Sequence, residues 1–461
     1  MSSAELIRQI QTEAAPGRSV DGRTRPRLQD LTRALLDARP DSAAEFDRYL
    51  AGRDRNLDVP DGVTAALAGR TLAVTGGSGC VGGELLAQLA ALRPARLLGF
   101  DLAEPGRPVP GVEYVTGDVC RAGDVRDFLH RYRPEVVFHL AGMRDPGLAE
   151  RHATDAVRTN TLGTYHVATL AAEAGVARLV YASTGKASRP YTTDVYASSK
   201  RLGEWIMTWT AARSAMTCSG VRFTHIVDNS IVLGRLRAWC AEGVLLPIHS
   251  AESVFYFQSA REAAQLMQVA SAAPADGTFR LHTIRDLGWP VAVLDLALGA
   301  MARHGSVVPL HIAGFDPGYE ESPYPGLYDP MISGEVSPLI SAVEAWDVAP
   351  AVSPAVDALR TRVSELPKLL AWLPRLATAA GPRDDAAVRR TLHDVAHDLL
   401  AATLGVTPPE VLRRVARITA AHRPTMRPEH LVIDDALHRA LSPEPAAGLS
   451  AHPLPVPRPG W

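Results

Sequence analysis

The chain is 461 residues long, with 48 Lys+Arg against 50 Asp+Glu and a formal net charge of -2. That length allows about three domains and a sizeable core, while the near-neutral charge excludes a molecule built to hold nucleic acid or an anionic membrane by bulk electrostatics. The N-terminal MSSAELIRQIQTEAAPGRS has no apolar core of signal-peptide length, and no apolar run approaches the ~18 residues of a membrane span. Cys80, Cys120, Cys218 and Cys240 lack metal-ligand or redox-pair spacing, so a cytoplasmic chain with no bound metal and no disulfide framework is expected. The basic residues are sharply skewed: Lys186, Lys200 and Lys368 are the only lysines, and the rest are arginine. Lysine has a pKa that a site can lower into a useful range, so the close pair Lys186 and Lys200 marks a candidate site.

Residues 1–62 read as helical and polar-rich. SAELIRQIQTEA, RLQDLTRALLDA and SAAEFDRYLA carry apolar residues at helical spacing, as an oligomerisation or packing arm would. From 63 to 227, apolar runs alternate with helical stretches such as GGELLAQLAAL and TNTLGTYHVATLAAEAG. The runs are TLAVTGG (71–77), RLLGFD (96–101), VEYVTGD (112–118), EVVFHLAG (135–142), ARLVYAST (177–184) and GVRFTHIV (220–227). Continuous apolar strands joined by crossover helices predict an α/β fold, a parallel sheet covered on both faces. Right-handed crossovers make it doubly wound, with ligands at the carboxyl ends of the strands.

Residues 228–335 mix short elements with loops and read as a smaller substrate-side lobe, in which GFDPGYEESPYPGLYDP is too rich in Pro and Gly for regular structure. Residues 336–461 read as a helical extension through SPLISAVEAW, VDALRTRVSELPKLLAWL, DDAAVRRTLHDVAHDLLAATLG and PPEVLRRVARITAAH. A Pro-rich tail, expected to be mobile, closes the chain.

The first strand runs into Thr75-Gly76-Gly77-Ser78-Gly79-Cys80-Val81-Gly82 and a helix follows. Gly76 suits the tight turn, Gly79 lets backbone approach a pyrophosphate, and Gly82 permits close packing of helix on strand; the helix N-terminus offers N–H groups to the anion. Asp101 ends the next strand where a ribose diol would be held, and an acid there favours NAD over its 2′-phosphorylated form. Asp118, in Gly117-Asp118-Val119, is placed to meet the adenine, although Asp is equally suited to cap a helix. Together these predict a Rossmann-type dinucleotide site.

Tyr196-Ala197-Ser198-Ser199-Lys200 puts Tyr and Lys four apart, on one helix face after the fifth strand. A phenol becomes a useful base only if its phenolate is stabilised, which a nearby ammonium does; Lys200 can also hold a nicotinamide ribose hydroxyl. Ser183 and Thr184 end the fifth strand, and either hydroxyl could bond the same substrate oxygen. His139 and His225 lie on strands and read as satisfied core histidines. Trp205 and Trp209 read as packing or dimer contacts.

Over roughly residues 70–335 the chain resembles the extended short-chain dehydrogenase/reductase family, and within it the polysaccharide-biosynthesis nucleotide-sugar 4,6-dehydratases and epimerases. The matching stretches are TGGSGCVG, GDV, VFHLAG, TNTLGT, YASTGKASRP, VYASSKRLGE and VRF. The resemblance implies catalysis by Thr184, Tyr196 and Lys200, with Lys186 as a further base. It implies NAD held by Gly76, Gly79, Cys80, Val81, Gly82, Asp101, Asp118, Val119, Leu140, Ala141, Gly142, Tyr196 and Lys200. A sugar or sugar-nucleotide substrate and a homodimer built on the Tyr196 helix and the helix after the fourth strand are also implied.

Three positions depart from that pattern. Thr184-Gly185-Lys186 lacks the Asp that acts as acid in the dehydratases. Asp316-Pro317-Gly318-Tyr319 stands where relatives read Arg-Pro-Gly-Glu, whose Arg meets the pyrophosphate. Arg144-Asp145 replaces a Lys-His pair after the fourth strand. The expected function is a redox-neutral epimerase or dehydratase that oxidises a hydroxyl transiently. The alternative is a net dehydrogenase or ketoreductase on an alcohol without a diphosphate, such as a nucleoside or cyclitol. A non-catalytic nucleotide sensor is disfavoured by the presence of Thr184, Tyr196 and Lys200.

Overall fold

The computed structural model describes residues 1–319, 337–364, 370–423 and 428–442. Lys368, the Pro-rich tail and the Gly/Pro-rich stretch beyond Tyr319 lie outside the described residues. Helices α1 (Ser3–Glu13), α2 (Thr24–Asp37) and α3 (Ser42–Ala51) form the N-terminal arm. Their apolar stripes bury Leu6, Ile10, Leu28, Leu35, Phe46 and Tyr49 against Val227, Leu236, Leu246, Leu298 and Leu310 of the smaller lobe. The arm thus packs within its own chain, and a Cβ on Gly299 would meet the Ser42 carbonyl oxygen at 2.4 Å. Helix α4 (Asp61–Leu67) straddles the expected boundary at 62 and sends Val63 and Leu67 into the core of the main sheet.

That sheet holds nine strands: β1 (Thr71–Thr75), β2 (Arg96–Asp101), β3 (Glu113–Thr116), β4 (Val136–His139), β5 (Arg178–Thr184), β6 (Thr217–Phe223), β7 (Arg280–Ile284), β8 (Val348–Pro350) and β9 (Val356–Arg360). Their order is β8-β9-β7-β6-β5-β4-β1-β2-β3. Strands β1 to β7 are parallel; β9 runs antiparallel to β7, and β8 to β9. The order reverses between β1 and β4, where Thr75 stands opposite His139. A doubly wound sheet opens its ligand crevice at that switch. Crossovers run through α5 (Cys80–Ala91), α6 (Ala122–Tyr132), the short α7 (Pro146–Arg151) and α8 (Ala153–Val157), α9 (Thr164–Glu173) and α10 (Val195–Arg213). The lobe adds α11 (Ile231–Glu242); α12 (Ala260–Ser271) packs beside α5, and α13 (Val293–His304) beside α3.

Two features correct the sequence-based organisation. The chain returns to the sheet through α12 and β7, whose Leu266, Met267 and Leu281 join the main core, so the lobe core comes from 227–257 and 291–312 together with the arm. Second, VDALR is a strand, not helix: the open edge of β7 pairs with it and buries Val356 and Leu359. A partner strand outweighs the modest helix propensity of Ala and Leu. SPLISAVEAW likewise folds as a Ser337–Ile340 bridge and a 3-10 turn at Ala345–Asp347.

Helix α14 (Trp372–Ala380) overlaps the stretch expected as helix only at its first two residues, α15 (Asp385–Leu404) and α16 (Pro409–His422) form where helices were expected, and α17 (Pro428–Leu441) adds a helix beyond them. Trp372, Leu376, Leu392, Val395 and Leu399 cover Ala149, Val157, Val195, Leu202 and Trp205. Trp205 is therefore a packing residue, while Trp209 stays half-buried beside Tyr165 with ring centroids 6.4 Å apart.

Candidate functional site

The glycine turn after β1 is shaped by contacts that no side chain could share. Gly76 has φ +74°, and a Cβ there would lie 2.6 Å from the Ala141 nitrogen; one on Gly82 would lie 2.1 Å from the Gly76 carbonyl oxygen. The turn thus leans on Leu140-Ala141-Gly142, whose Leu140 N–H donates to the Thr75 carbonyl and Ala141 N–H to its hydroxyl. Gly79 caps α5 with no side-chain bond, so the first-turn N–H groups of Cys80 and Val81 have no acceptor within the helix or from its cap. A cavity of about 590 Å³ opens there, lined by Ser78, Gly79, Cys80, Arg107, Tyr114 and Asp228. Burial pushes the Cys80 thiol up to about 11, away from thiolate character.

Asp101 ends β2 beside this turn and accepts from the Ser78 N–H at 2.9 Å and the Leu102 N–H at 2.7 Å. Its carboxylate therefore braces the glycine loop while retaining lone pairs for a diol. Asp118 accepts from the Cys120 N–H at 2.8 Å; the α6 N-cap is Arg121, so Asp118 does not cap that helix. Val119 is buried, and its carbonyl oxygen is 3.0 Å from His166 Nδ1. This donor set and the space above Gly76 fit a dinucleotide.

The residues expected to be catalytic gather at the carboxyl edge of β5. Thr184 caps the 3-10 turn Gly185–Ser188, accepting from the Lys186 N–H at 3.4 Å. Lys186 Nζ donates to the Gly318 carbonyl at 2.8 Å and lies 5.9 Å from the Tyr196 ring centroid and 5.8 Å from that of Tyr319. Asp194 caps α10 by accepting from the Ala197 N–H at 3.1 Å, which sets Tyr196 in the first turn. Lys200, one turn on, is buried with Nζ 4.5 Å from the Tyr181 ring centroid; a Cβ on Gly142 would come within 3.6 Å of it. Burial pulls its pKa down to about 7, against an upward pull from Glu204. Lys186, Tyr196 and Lys200 thus share one edge with the Gly142 turn.

Ser183 is buried and turned into the core. Its hydroxyl donates to Glu204 Oε1 at 2.6 Å, inside a buried network in which Arg222 bonds Glu204 at 2.8 Å and Glu344 at 3.0 Å. Only Thr184 of the pair is left at the site. Asn160 and Glu204 were not singled out by the motifs. Asn160, fully buried in a π-turn at Arg158–Gly163, accepts from the Met143 N–H at 2.8 Å and donates to the Ser199 hydroxyl at 3.1 Å. Nothing in the polar run Arg158-Thr159-Asn160-Thr161 marks Asn160 from its neighbours, and its burial is what requires it to find partners. The histidines behave as expected: His139 sits 2.7 Å from the Thr75 hydroxyl and 3.0 Å from that of Thr164, with its pKa pushed down to about 3 by burial. His225 lies 2.8 Å from the Tyr49 hydroxyl and 2.9 Å from that of Ser230.

The unusual segments Arg144-Asp145 and Asp316-Pro317-Gly318-Tyr319 meet one another. Tyr319 donates to Asp145 at 2.9 Å, while Asp316 is exposed. Burial alone would raise Asp145, but the Leu148 N–H, the Tyr319 hydroxyl and the Arg235 charge hold its carboxyl below the usual range.

Residues 72–320 match the family model described as polysaccharide biosynthesis protein. The chain is 26% identical over 316 residues to the capsular polysaccharide biosynthesis protein CapD of Staphylococcus aureus, covering 64% of this chain and 52% of that protein. It is 27% identical over 284 residues to the probable polysaccharide biosynthesis protein EpsC of Bacillus subtilis, covering 58% of this chain and 46% of that protein. The chain therefore spans about half the length of these relatives. Among solved structures, Pen from Bacillus thuringiensis superposes with a TM-score of 0.55 at 19% identity, over 64% of this chain and 88% of that one, which shows a shared fold. On the extent of the family match, which takes in the glycine turn, β5 and the first turns of α10, this chain belongs to the polysaccharide biosynthesis protein family.

Proposed function

We propose that the chain is an NAD-dependent sugar-modifying enzyme of the nucleotide-sugar epimerase/dehydratase kind, working through transient oxidation of a hydroxyl to a ketone. The observation that carries this is the convergence of Lys186, Tyr196 and buried Lys200 on the edge where the Gly76 turn meets Gly142. NAD would supply the hydride acceptor when bound, with Gly76, Gly79 and Gly82 leaving it room, the α5 N-terminus available to its pyrophosphate and Asp101 available to its ribose. Tyr196 takes the proton of the sugar hydroxyl, and the Lys200 ammonium stabilises the phenolate. Thr184 donates a hydrogen bond to the same sugar oxygen. Once the carbon is a carbonyl the neighbouring C–H is acidic, and Lys186 moves that proton before the hydride returns.

Arg235, exposed on α11, acts electrostatically on both Asp145 and Tyr319. It supplies a cation for a substrate diphosphate on the lobe side, where relatives use the Arg that Asp316 replaces. The net-dehydrogenase alternative keeps one observation in its favour: the Gly318 carbonyl and Tyr319 hydroxyl are engaged by Lys186 and Asp145, so that segment itself offers no cation. A homodimer would use the half-buried Tyr165–Trp209 surface, because α14 and α15 already cover the Trp205 face. Four free thiols fit a reducing cytoplasm, and no helix among the described residues is long and apolar enough to cross a membrane.

The test is turnover of UDP-sugars with the nicotinamide absorbance followed. Product without accumulated NADH supports the redox-neutral reaction, and stoichiometric NADH supports the alternative. Tyr196→Phe should abolish either reaction while NAD still binds; normal turnover by that variant would overturn the assignment.

A further inference from the structure

The catalytic helix is held from outside the matched family region. The first residue of α10, Val195, has an N–H with no partner inside the helix, and it donates to Glu150 Oε1 at 2.7 Å. The other oxygen of that carboxylate bonds Arg389, which lies one turn into α15 of the C-terminal extension. Asp385, four residues earlier on the same face of α15, accepts from the Thr154 N–H at 2.8 Å. The α15 face carrying Asp385 and Arg389 therefore grips α7 and α8, and through Glu150 it reaches the residue next to Tyr196. Further along α15, the Thr403 hydroxyl accepts from buried Arg201, the neighbour of Lys200, at 2.9 Å.

We propose that Arg389 is a positioning residue for Tyr196, acting through the Glu150 carboxylate that it holds against the Val195 N–H. This rests on the reading of Tyr196 as the base. Glu150 is only 13% exposed along its side chain and would otherwise bring an unbalanced negative charge to the start of α10, beside the Asp194 cap. A negative charge there opposes formation of a phenolate one residue away. Arg389 cancels that charge and fixes the carboxylate as a helix-end acceptor. Lys186 from the 3-10 turn and Lys200 from α10 itself bring positive charge near Tyr196, the Asp194 cap carries a carboxylate 4.0 Å from Lys186, and the Tyr181 phenol of β5 acts on Tyr196 from the sheet. The C-terminal extension is thereby part of the machinery that sets the acidity and place of the phenol.

The experiment follows phenolate absorbance against pH in the full chain with NAD present, taking each protein minus its Tyr196→Phe counterpart. Arg389→Ala should move the Tyr196 titration to higher pH by about half a pH unit or more, since Glu150 is left uncancelled. Glu150→Gln keeps an oxygen for the Val195 N–H but removes the charge, and should move the titration to lower pH. Arg389→Lys should restore the wild-type curve, and NAD binding should be equal in all variants. Shifts in the same direction, or no shift, overturn the role given to Arg389 and leave the assignment of Tyr196 standing. A wild-type phenol that titrates no lower than free tyrosine overturns the base assignment itself, and this proposal falls with it.

Discussion

The Tyr319 hydroxyl and the Leu148 N–H both donate to one oxygen of Asp145, at 2.9 and 3.0 Å. One carboxylate thus caps α7 and tethers the segment from the lobe to the strand edge beside the glycine turn. Both residues stand where the sequence departs from its family pattern, and the two departures are a matched pair.

Tyr319→Phe removes the tether and keeps the ring. It should cost about 1–2 kcal/mol at neutral pH, the low end for a hydrogen bond to a charged group because this one is partly exposed. Asp145 is held below its ordinary value in the fold, so this contribution is present above the usual carboxylate range and lost as pH falls through the folded value. Urea denaturation at neutral and acidic pH checks both statements; an equal penalty at both would show that the bond does not depend on the ionised carboxylate.

Glu204→Gln should be far more damaging than Ser183→Ala, although Ser183 bonds that carboxylate at only 2.6 Å, because Gln keeps an acceptor for Ser183 but removes the charge that Arg222 needs. Arg222 and Glu204 are 0% and 1% exposed along their side chains, and halving a buried pair leaves a charge without compensation, at a cost of about 3–5 kcal/mol. Ser183→Ala removes one bond of several to the carboxylate, for about 1–2 kcal/mol. Denaturant midpoints rank the two, and comparable losses would mean that Arg222 finds enough compensation in Glu344.

The main sheet was legible because its leading strands carry short apolar cores such as Leu72–Val74, Leu97–Leu98 and Val136–Phe138, and the glycine turn and the Tyr196–Lys200 spacing carry their chemistry locally. What stayed hidden depends on distant partners. VDALR has no β-branched run or alternation to mark it, and it becomes β9 only because β7 has an open edge. Ser183 looked like a substrate contact because nothing near it in sequence reveals Glu204, and Glu344, which completes that network, sits in a stretch that reads as helix. The Arg389–Glu150 link joins residues 239 apart in the chain, a distance over which periodicity says nothing.

Arg235→Ala should raise KM for a UDP-sugar by about tenfold, as expected for loss of roughly one charge-assisted contact. NAD affinity should not change, because the site proposed for the cofactor pyrophosphate is at the α5 N-terminus and not on α11. An unchanged KM would remove Arg235 from the site and strengthen the reading with a substrate that has no diphosphate.

Lys200→Met should make the apoprotein more stable at neutral pH even as it abolishes turnover. The ammonium is buried and its pKa is pulled from 10.5 to about 7, so between those values the unfolded chain binds a proton that the folded chain does not. Wild-type stability must then rise with pH from about 7 toward 10.5, with the burial penalty fully present below about 7. Replacing the ammonium with an apolar side chain of similar length removes the penalty and should flatten that part of the stability–pH curve. Urea midpoints across the window decide it: a wild-type curve already flat there would mean that Glu204 and the Tyr181 ring keep Lys200 charged at no cost, and its acidity would then not be available to tune Tyr196.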